Sequence, residues 1–275
     1  MRTLQSIFNF YLNSSIHVAL AVYSLLRMSQ HMFDIQSDSA SGYFAFFGTV
    51  VGYNFVKYDT LARNKGQNFG SKMKAIMVLS IVCFAAAIYF FFQLRLQTQI
   101  ISFVILLLTM LYTLPFFPNR KNARNWAGVK IYIVALCWVG VTLLLPLLNF
   151  EVAWGTDMLW KALQRFILVF ILILVFEIID LENDDPHLQT VPQQIGVRNT
   201  KLLGLFLLIP FYFLEFVKTI VQYEQLLINL VLIVILAFFM LNASQKKSRY
   251  YTSFLFDSVP ILWWFMVLGA HYLSK

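Results

Sequence analysis

An all-α, polytopic membrane bundle is the fold class this sequence predicts, on three observations. Its 275 residues are 60% hydrophobic and only 12% charged, whereas soluble domains run about 45–50% apolar and about 25% charged. The apolar residues gather in runs of roughly 20, the length that crosses a ~30 Å hydrocarbon core as a helix. The runs are continuously apolar, whereas the strands of an outer-membrane barrel alternate polar and apolar over about ten residues. Disorder, collagen, a disulfide scaffold and an ordinary soluble enzyme are excluded.

Nine spans are expected, taken in order with their polar punctuation. The first, about 6–27, is the least hydrophobic, interrupted by Asn13, Ser14, Ser15 and His17. The second, 41–58, runs into the polar stretch GYNFVKYDTLARNKG. Spans 74–93 and 98–117 follow, closed by Pro118-Asn119; then come 130–149 and 159–179, the latter followed by Asp185-Pro186. The last three are 201–219, 225–243 and 250–272, with Asn242-Ala243-Ser244 as a joint. Gly, Pro and Asn clusters of this kind end helices. No polar stretch between spans exceeds about 20 residues, so residues 1–275 form a single transmembrane domain with no soluble insertion. Cys83 and Cys137 sit deep in apolar runs and read as small packing residues. The start, MRTLQSIFNFYLNSS, has no clean small-residue site ending its apolar stretch, so no cleavable signal peptide is expected.

Fourteen of the 21 basic residues fall in the loops after spans two, four, six and eight. Under the positive-inside rule these loops are cytoplasmic. The N-terminus is then cytoplasmic and, with nine spans, the C-terminus lies on the opposite side. The net charge of +8 is accounted for by topology, so no nucleic-acid partner is expected; the bilayer is the partner that composition implies. The sequence specifies no oligomeric state.

Five of the thirteen acidic residues occupy nine positions, Glu177, Asp180, Glu182, Asp184 and Asp185, at the cytoplasmic end of span six. Glu177, Asp180 and Asp184 are spaced i, i+3, i+7, along one helical face. Three like charges so close call for a cation, and Mg²⁺ is usually held by one or two carboxylates completed by substrate phosphates. A solvated helix end, or ion pairs with basic loops, accounts for the same residues. Asn54, Lys57 and Tyr58 share a face at the end of span two and suit an anionic ligand; a snorkelling lysine and an interfacial tyrosine are the alternative. Arg120 and Lys121, with Arg124, could bond phosphate oxygens, or serve topology alone. His17 and Asp257 lie inside spans and face the bundle interior, but one polar residue per span identifies no reaction.

The segment EIIDLENDDPHLQTVPQQIGVRNTK resembles the second aspartate-rich region of the UbiA-type membrane prenyltransferase superfamily, an acidic DxxDxxxD run followed by T-[LV]-P…[LI]-G. Glu177, Asp180 and Asp184 stand at its acidic positions, and Thr190, Val191, Pro192, Ile195 and Gly196 follow. The LYTLP stretch, residues 111–115, looks like the family's segment between spans four and five. The resemblance covers most of the chain but draws its specificity from residues 177–201. It implies a UbiA-like nine-helix bundle around a central cavity, with an active site at the cytoplasmic face. It also implies Mg²⁺ as cofactor and transfer of an isoprenyl group from a prenyl diphosphate to an acceptor that the sequence does not identify. Glu177, Asp180 and Asp184 would bind the metal. Asn54, Lys57, Tyr58, Arg120 and Lys121 would contact diphosphate, and catalysis would rest on Asp180, Asp184 and Lys57.

The chain departs from the family's first motif, NDxxDxxxD. With Asn54 at the Asn position, Phe55, Tyr58 and Ala62 replace its three acids, and Asp59 is one residue out of register. Lys57 cannot coordinate Mg²⁺ but can meet diphosphate as a point charge. The alternative expectation is a non-catalytic relative that binds a polyprenyl lipid or assists a partner enzyme.

Overall fold

The computed structural model describes residues 2–35, 39–63, 70–114, 128–182, 184, 188–219, 221–248 and 250–273, without the side chains of residues 2 and 59–63. Among them there is helix and no strand. Ten helices follow in order: α1 (Arg2–Asn13), α2 (Ile16–Met32), α3 (Ser39–Arg63), α4 (Ser71–Phe91), α5 (Leu96–Thr113), α6 (Val129–Asn149), α7 (Thr156–Asp180), α8 (Val191–Val217), α9 (Tyr223–Asn242) and α10 (Tyr251–Leu273). Seven, α4 to α10, are long and apolar enough to cross a membrane, and they coincide with expected spans three to nine.

The segment expected as the first span is two helices. Ser15 takes a left-handed conformation (φ 61°) between α1 and α2, a backbone state rarely adopted by residues other than Gly, Asn and Asp. Alone, α1 is about 18 Å long, too short to span. It is amphipathic: Leu4 and Ile7 are exposed, while Phe8 packs against Tyr11, Tyr250 and Phe254. The 17-residue α2 reaches about 26 Å and is largely buried. The 25-residue α3 is long enough, but Asn54, Lys57, Asp59 and Arg63 make its second half polar.

Burial sorts the helices. The apolar stretches of α7 and α6 are 67% and 61% buried, that of α4 only 17%, so α7 and α6 form the centre and α4 turns its side chains to lipid. Neighbours run α4, α3, α2, α10, α9, α8, α7 and α6, and α6 packs back on α2. Two wide π turns interrupt this ring, Gly140–Leu144 in α6 and Tyr251–Phe256 in α10. Each precedes a proline, Pro146 and Pro260. A proline has no N–H for the carbonyl four residues back and crowds it; here those carbonyls belong to Thr142 and Phe256, both within the π turns. The second turn is fastened by the i→i−5 bond from Asp257 N–H to Thr252 O (3.1 Å).

At the end of the bundle away from the acidic segment, a buried polar network joins α7, α8 and α9. Lys161 Nζ donates to Glu215 Oε2 and Gln164 Oε1, both at 2.8 Å. Asn229 Nδ2 donates to the same Glu215 oxygen at 3.1 Å, and Lys218 pairs with the other. Removing one partner of a buried ion pair typically costs roughly 3–5 kcal/mol, because the other charge is left without compensation. Glu215→Leu, which strands Lys161, is expected to lower the unfolding free energy by about that amount, measured by denaturant titration in micelles; a change below about 1 kcal/mol would show that the network adds no stability.

Candidate functional site

The acidic end of α7 is built by the start of α8. Pro192, the second residue of α8, has no N–H, and the Thr190 N–H is donated to Gln193 Oε1 (2.9 Å). The Val191 N–H points to the Glu177 carboxylate, where Oε2 accepts it at 3.1 Å. A helix N-terminus carries partial positive charge and free donors, which stabilise an anion there. So the TVP segment and Glu177 form one construction, a carboxylate capping the next helix. Glu177 is buried, with 2% of its surface accessible.

Its other oxygen, Oε1, faces Lys130 Nζ at 3.9 Å, and the same ammonium lies 3.8 Å from Asp184 Oδ2. Lys130 is the second residue of α6, just after Gly128, whose positive φ (70°) turns the chain into that helix. Asp184 is brought back by its N–H bond to the Asp180 carbonyl (2.9 Å), which continues the helical turn beyond α7. Asp184 Oδ2 is buried and, among the described residues, accepts no hydrogen bond. Asp180 differs from both, being exposed. The i, i+3, i+7 spacing therefore brings Glu177 and Asp184 onto one lysine and leaves Asp180 more open. Among the described residues no three His, Cys, Asp or Glu side chains converge as a metal-ligand group.

The span-two residues sit at the α1–α2 break. Asn54 is buried; its Oδ1 accepts from Ser15 Oγ (2.8 Å) and its Nδ2 donates to Ser80 Oγ on α4 (3.0 Å). Lys57 Nζ and Tyr58 Oη both donate to the Asn13 carbonyl, at 3.2 and 2.8 Å. That carbonyl ends α1, where no helical N–H reaches it. The described hydrogen bonds and ion pairs thus set Glu177 and Asp184 at Lys130, Lys57 and Tyr58 at Asn13, and Asn54 between Ser15 and Ser80. Arg120 and Lys121 lie outside the described residues.

Asp257 is the site residue that reading the sequence left unassigned. It follows the π turn of α10, half-buried, within electrostatic range of Lys57 and of the Tyr53 hydroxyl. Tyr53 accepts a hydrogen bond from Trp138 Nε1 on α6 (2.7 Å) yet keeps 37% of its surface accessible. A carboxylate inside an apolar run was the available signal, since such residues in membrane spans mark functional interiors by default; what the run does not disclose is that Lys57 lies within electrostatic range.

No family model, curated protein or solved structure matches the chain.

A buried hydrogen bond that loses one partner costs about 1–3 kcal/mol. Asn54→Ala leaves the Ser15 hydroxyl without this acceptor, and a stability loss of that size is expected in the same micellar unfolding assay. Unchanged stability would free Asn54 from its fastening role and leave ligand contact as its reason to be buried.

Proposed function

We propose that the chain is a UbiA-like membrane prenyltransferase, transferring an isoprenyl group from a prenyl diphosphate to an acceptor. In this reading α2 and α3 also cross the bilayer, giving nine spans around a central cavity. The N-terminus and the active site lie at the basic, cytoplasmic face and the C-terminus lies opposite. The observation that carries the reading is the buried Glu177 and half-buried Asp184 held against one lysine, with the buried Asp184 Oδ2 lacking a hydrogen bond among the described residues. An acceptor oxygen without a donor, beside a second carboxylate, has the chemistry of a hard-cation ligand.

Glu177 Oε1, Asp184 and the exposed Asp180 would hold Mg²⁺. Bound there, the metal supplies charge neutralisation for a leaving diphosphate. Lys130 joins Lys57, Arg120 and Lys121 as cations for phosphate oxygens, with Asn54 and Tyr58 beside them. In the reaction the C–O bond to diphosphate breaks with its electron pair leaving on oxygen. The allylic cation is captured by the acceptor, and an aromatic acceptor carbon then loses a proton. Asp257, on α10 within electrostatic range of Lys57 and Tyr53, would take that proton, and the Tyr53 and Trp138 rings would offer π faces to the cation.

A second reading, a non-catalytic relative that binds a polyprenyl lipid or assists a partner enzyme, is favoured by one observation. The positions of the family's first acidic motif are engaged in fastening α1: Asn54 with Ser15 and Ser80, Lys57 and Tyr58 with Asn13.

Purified protein given Mg²⁺, labelled prenyl diphosphates and a panel of acceptors is expected to release diphosphate and form prenylated product. Asp184→Asn and Asp180→Asn should each lower turnover about a hundredfold, the scale of removing one electrostatic contact to a developing anion. Asp257→Asn should lower turnover while leaving prenyl diphosphate binding intact. Mg²⁺-dependent binding with no product would decide for the second reading, and turnover unchanged in Asp184→Asn would remove this carboxylate pair from the mechanism.

A further inference from the structure

A pocket of about 280 Å³ opens where α1, the start of α4 and the start of α10 meet, apart from the carboxylate pair at Lys130. We propose that it binds the phosphodiester of an anionic phospholipid, holding α1 against the bundle at the depth of the headgroups.

The lining divides into two halves. One half is polar: Asn9, Asn13, Lys72, Tyr250 and Ser253. Tyr250 Oη donates to Asn9 Oδ1 at 2.7 Å, which occupies the acceptor end of that amide and leaves its Nδ2 to donate elsewhere. Lys72 is exposed and, among the described residues, has no hydrogen bond or ion pair. No carboxylate is among the described residues of the lining. An ammonium, amide N–H groups and a hydroxyl, with no competing anion, are the complement of a phosphate group. The other half is apolar, with Phe10, Leu12 and Ile76, and suits the glycerol end of acyl chains.

Three features select a lipid over a free phosphate. The helix α1 lays exposed Leu4 and Ile7, 75% and 63% accessible, on its outer side, the pattern of a helix lying in the membrane interface. The pocket sits on its inner side, so an occupant shares its depth. The neighbouring chain carries Lys74, Lys246 and Lys247, all exposed, and basic clusters beside membrane helices attract anionic headgroups. The pocket is also continuous with apolar wall, which a free anion does not use.

The test uses the full-length protein, delipidated in detergent, with phosphatidylglycerol and phosphatidylcholine added in equal amounts and retained lipid counted by native mass spectrometry. Phosphatidylglycerol should be retained preferentially, and Lys72→Gln should reduce that preference roughly fivefold, the contribution expected of one lysine near an anionic surface. Lys72 is exposed and unpaired among the described residues, so matched unfolding of the lipid-free variant shows that the fold is kept. Lys74→Gln, equally exposed but outside the lining, should retain the preference. Equal retention of the two lipids, or equal loss in both variants, overturns the proposal. Displacement of phosphatidylglycerol by millimolar inorganic phosphate also overturns it, since the pocket would then read free phosphate rather than lipid.

Discussion

Hydrocarbon offers no hydrogen bonds, so every polar side chain carried into this bundle has to find its partner there. The bundle meets that constraint at many of its buried polar side chains, while Trp263 Nε1, Thr98 Oγ1 and Asp184 Oδ2 are buried without a hydrogen bond among the described residues. Arg165, in the middle of α7 and 3% accessible, donates to the Leu25 carbonyl (3.1 Å), Thr142 Oγ1 (2.9 Å) and Ser29 Oγ (3.2 Å). It also stands over the Trp263 ring at 5.8 Å. One cation thereby ties α2, α6, α7 and α10 without a carboxylate, using neutral acceptors and a π face. Thr142 lies within the π turn of α6, so the irregular backbone that Pro146 accompanies also carries one of the acceptors Arg165 needs.

The same constraint shapes the helix ends. The carbonyl of Asn13 and the N–H of Val191 have no partner within their own helices, and both are met by side chains from elsewhere in the chain. Lys57 and Tyr58 meet the first, Glu177 the second. These are charged or phenolic groups, which form stronger bonds than neutral amides or also anchor at the interface. The residues that looked most like ligand contacts in the sequence are therefore also the residues that hold the termini of α1 and α8. A carboxylate that caps a helix is pre-oriented by it, which is the kind of rigid support a binding constellation requires.

Much of the architecture was legible because lipid writes it in composition. Seven apolar helices appear where apolar runs stand, with boundaries that move by a few residues except at α8. There the TVPQQIG segment starts the helix at Val191, ten residues earlier than the apolar run, with a kink at Gly196 (φ 79°). That stretch is polar and its residues 194–196, 198 and 199 are exposed, while the Val191 N–H at its start meets Glu177. The α1–α2 break was visible only as an interruption at Asn13, Ser14 and Ser15; its meaning depends on Ser15 reaching Asn54, 39 positions away. The acidic spacing was legible as a shared face, yet spacing along one helix does not disclose Lys130 on another. It also does not reveal that Asp180 remains exposed while its neighbours are buried. Asp257 was visible as a lone acid in an apolar run, and only the fold brings it within electrostatic range of Lys57 and Tyr53.

The altered half of the expected site has a physical logic of its own. On the proposed reading, three carboxylates at positions 55, 58 and 62 would need matching cations where α1 ends. In their place stand Phe55, 41% accessible, and Tyr58, which with Lys57 donates to Asn13. A carboxylate can accept from a helix N-terminus but has nothing to donate to a terminal carbonyl; a phenol and an ammonium do. Donors rather than acids at this end of α3 are thus what fastening the Asn13 carbonyl requires, and Lys57 supplies one of them. On the proposed reading, that exchange transfers part of the diphosphate's charge compensation from bound metal to a fixed ammonium. On the same reading, the carboxylate pair at Lys130 would be the hard-cation site of the bundle, with Lys130 itself the cation already beside it.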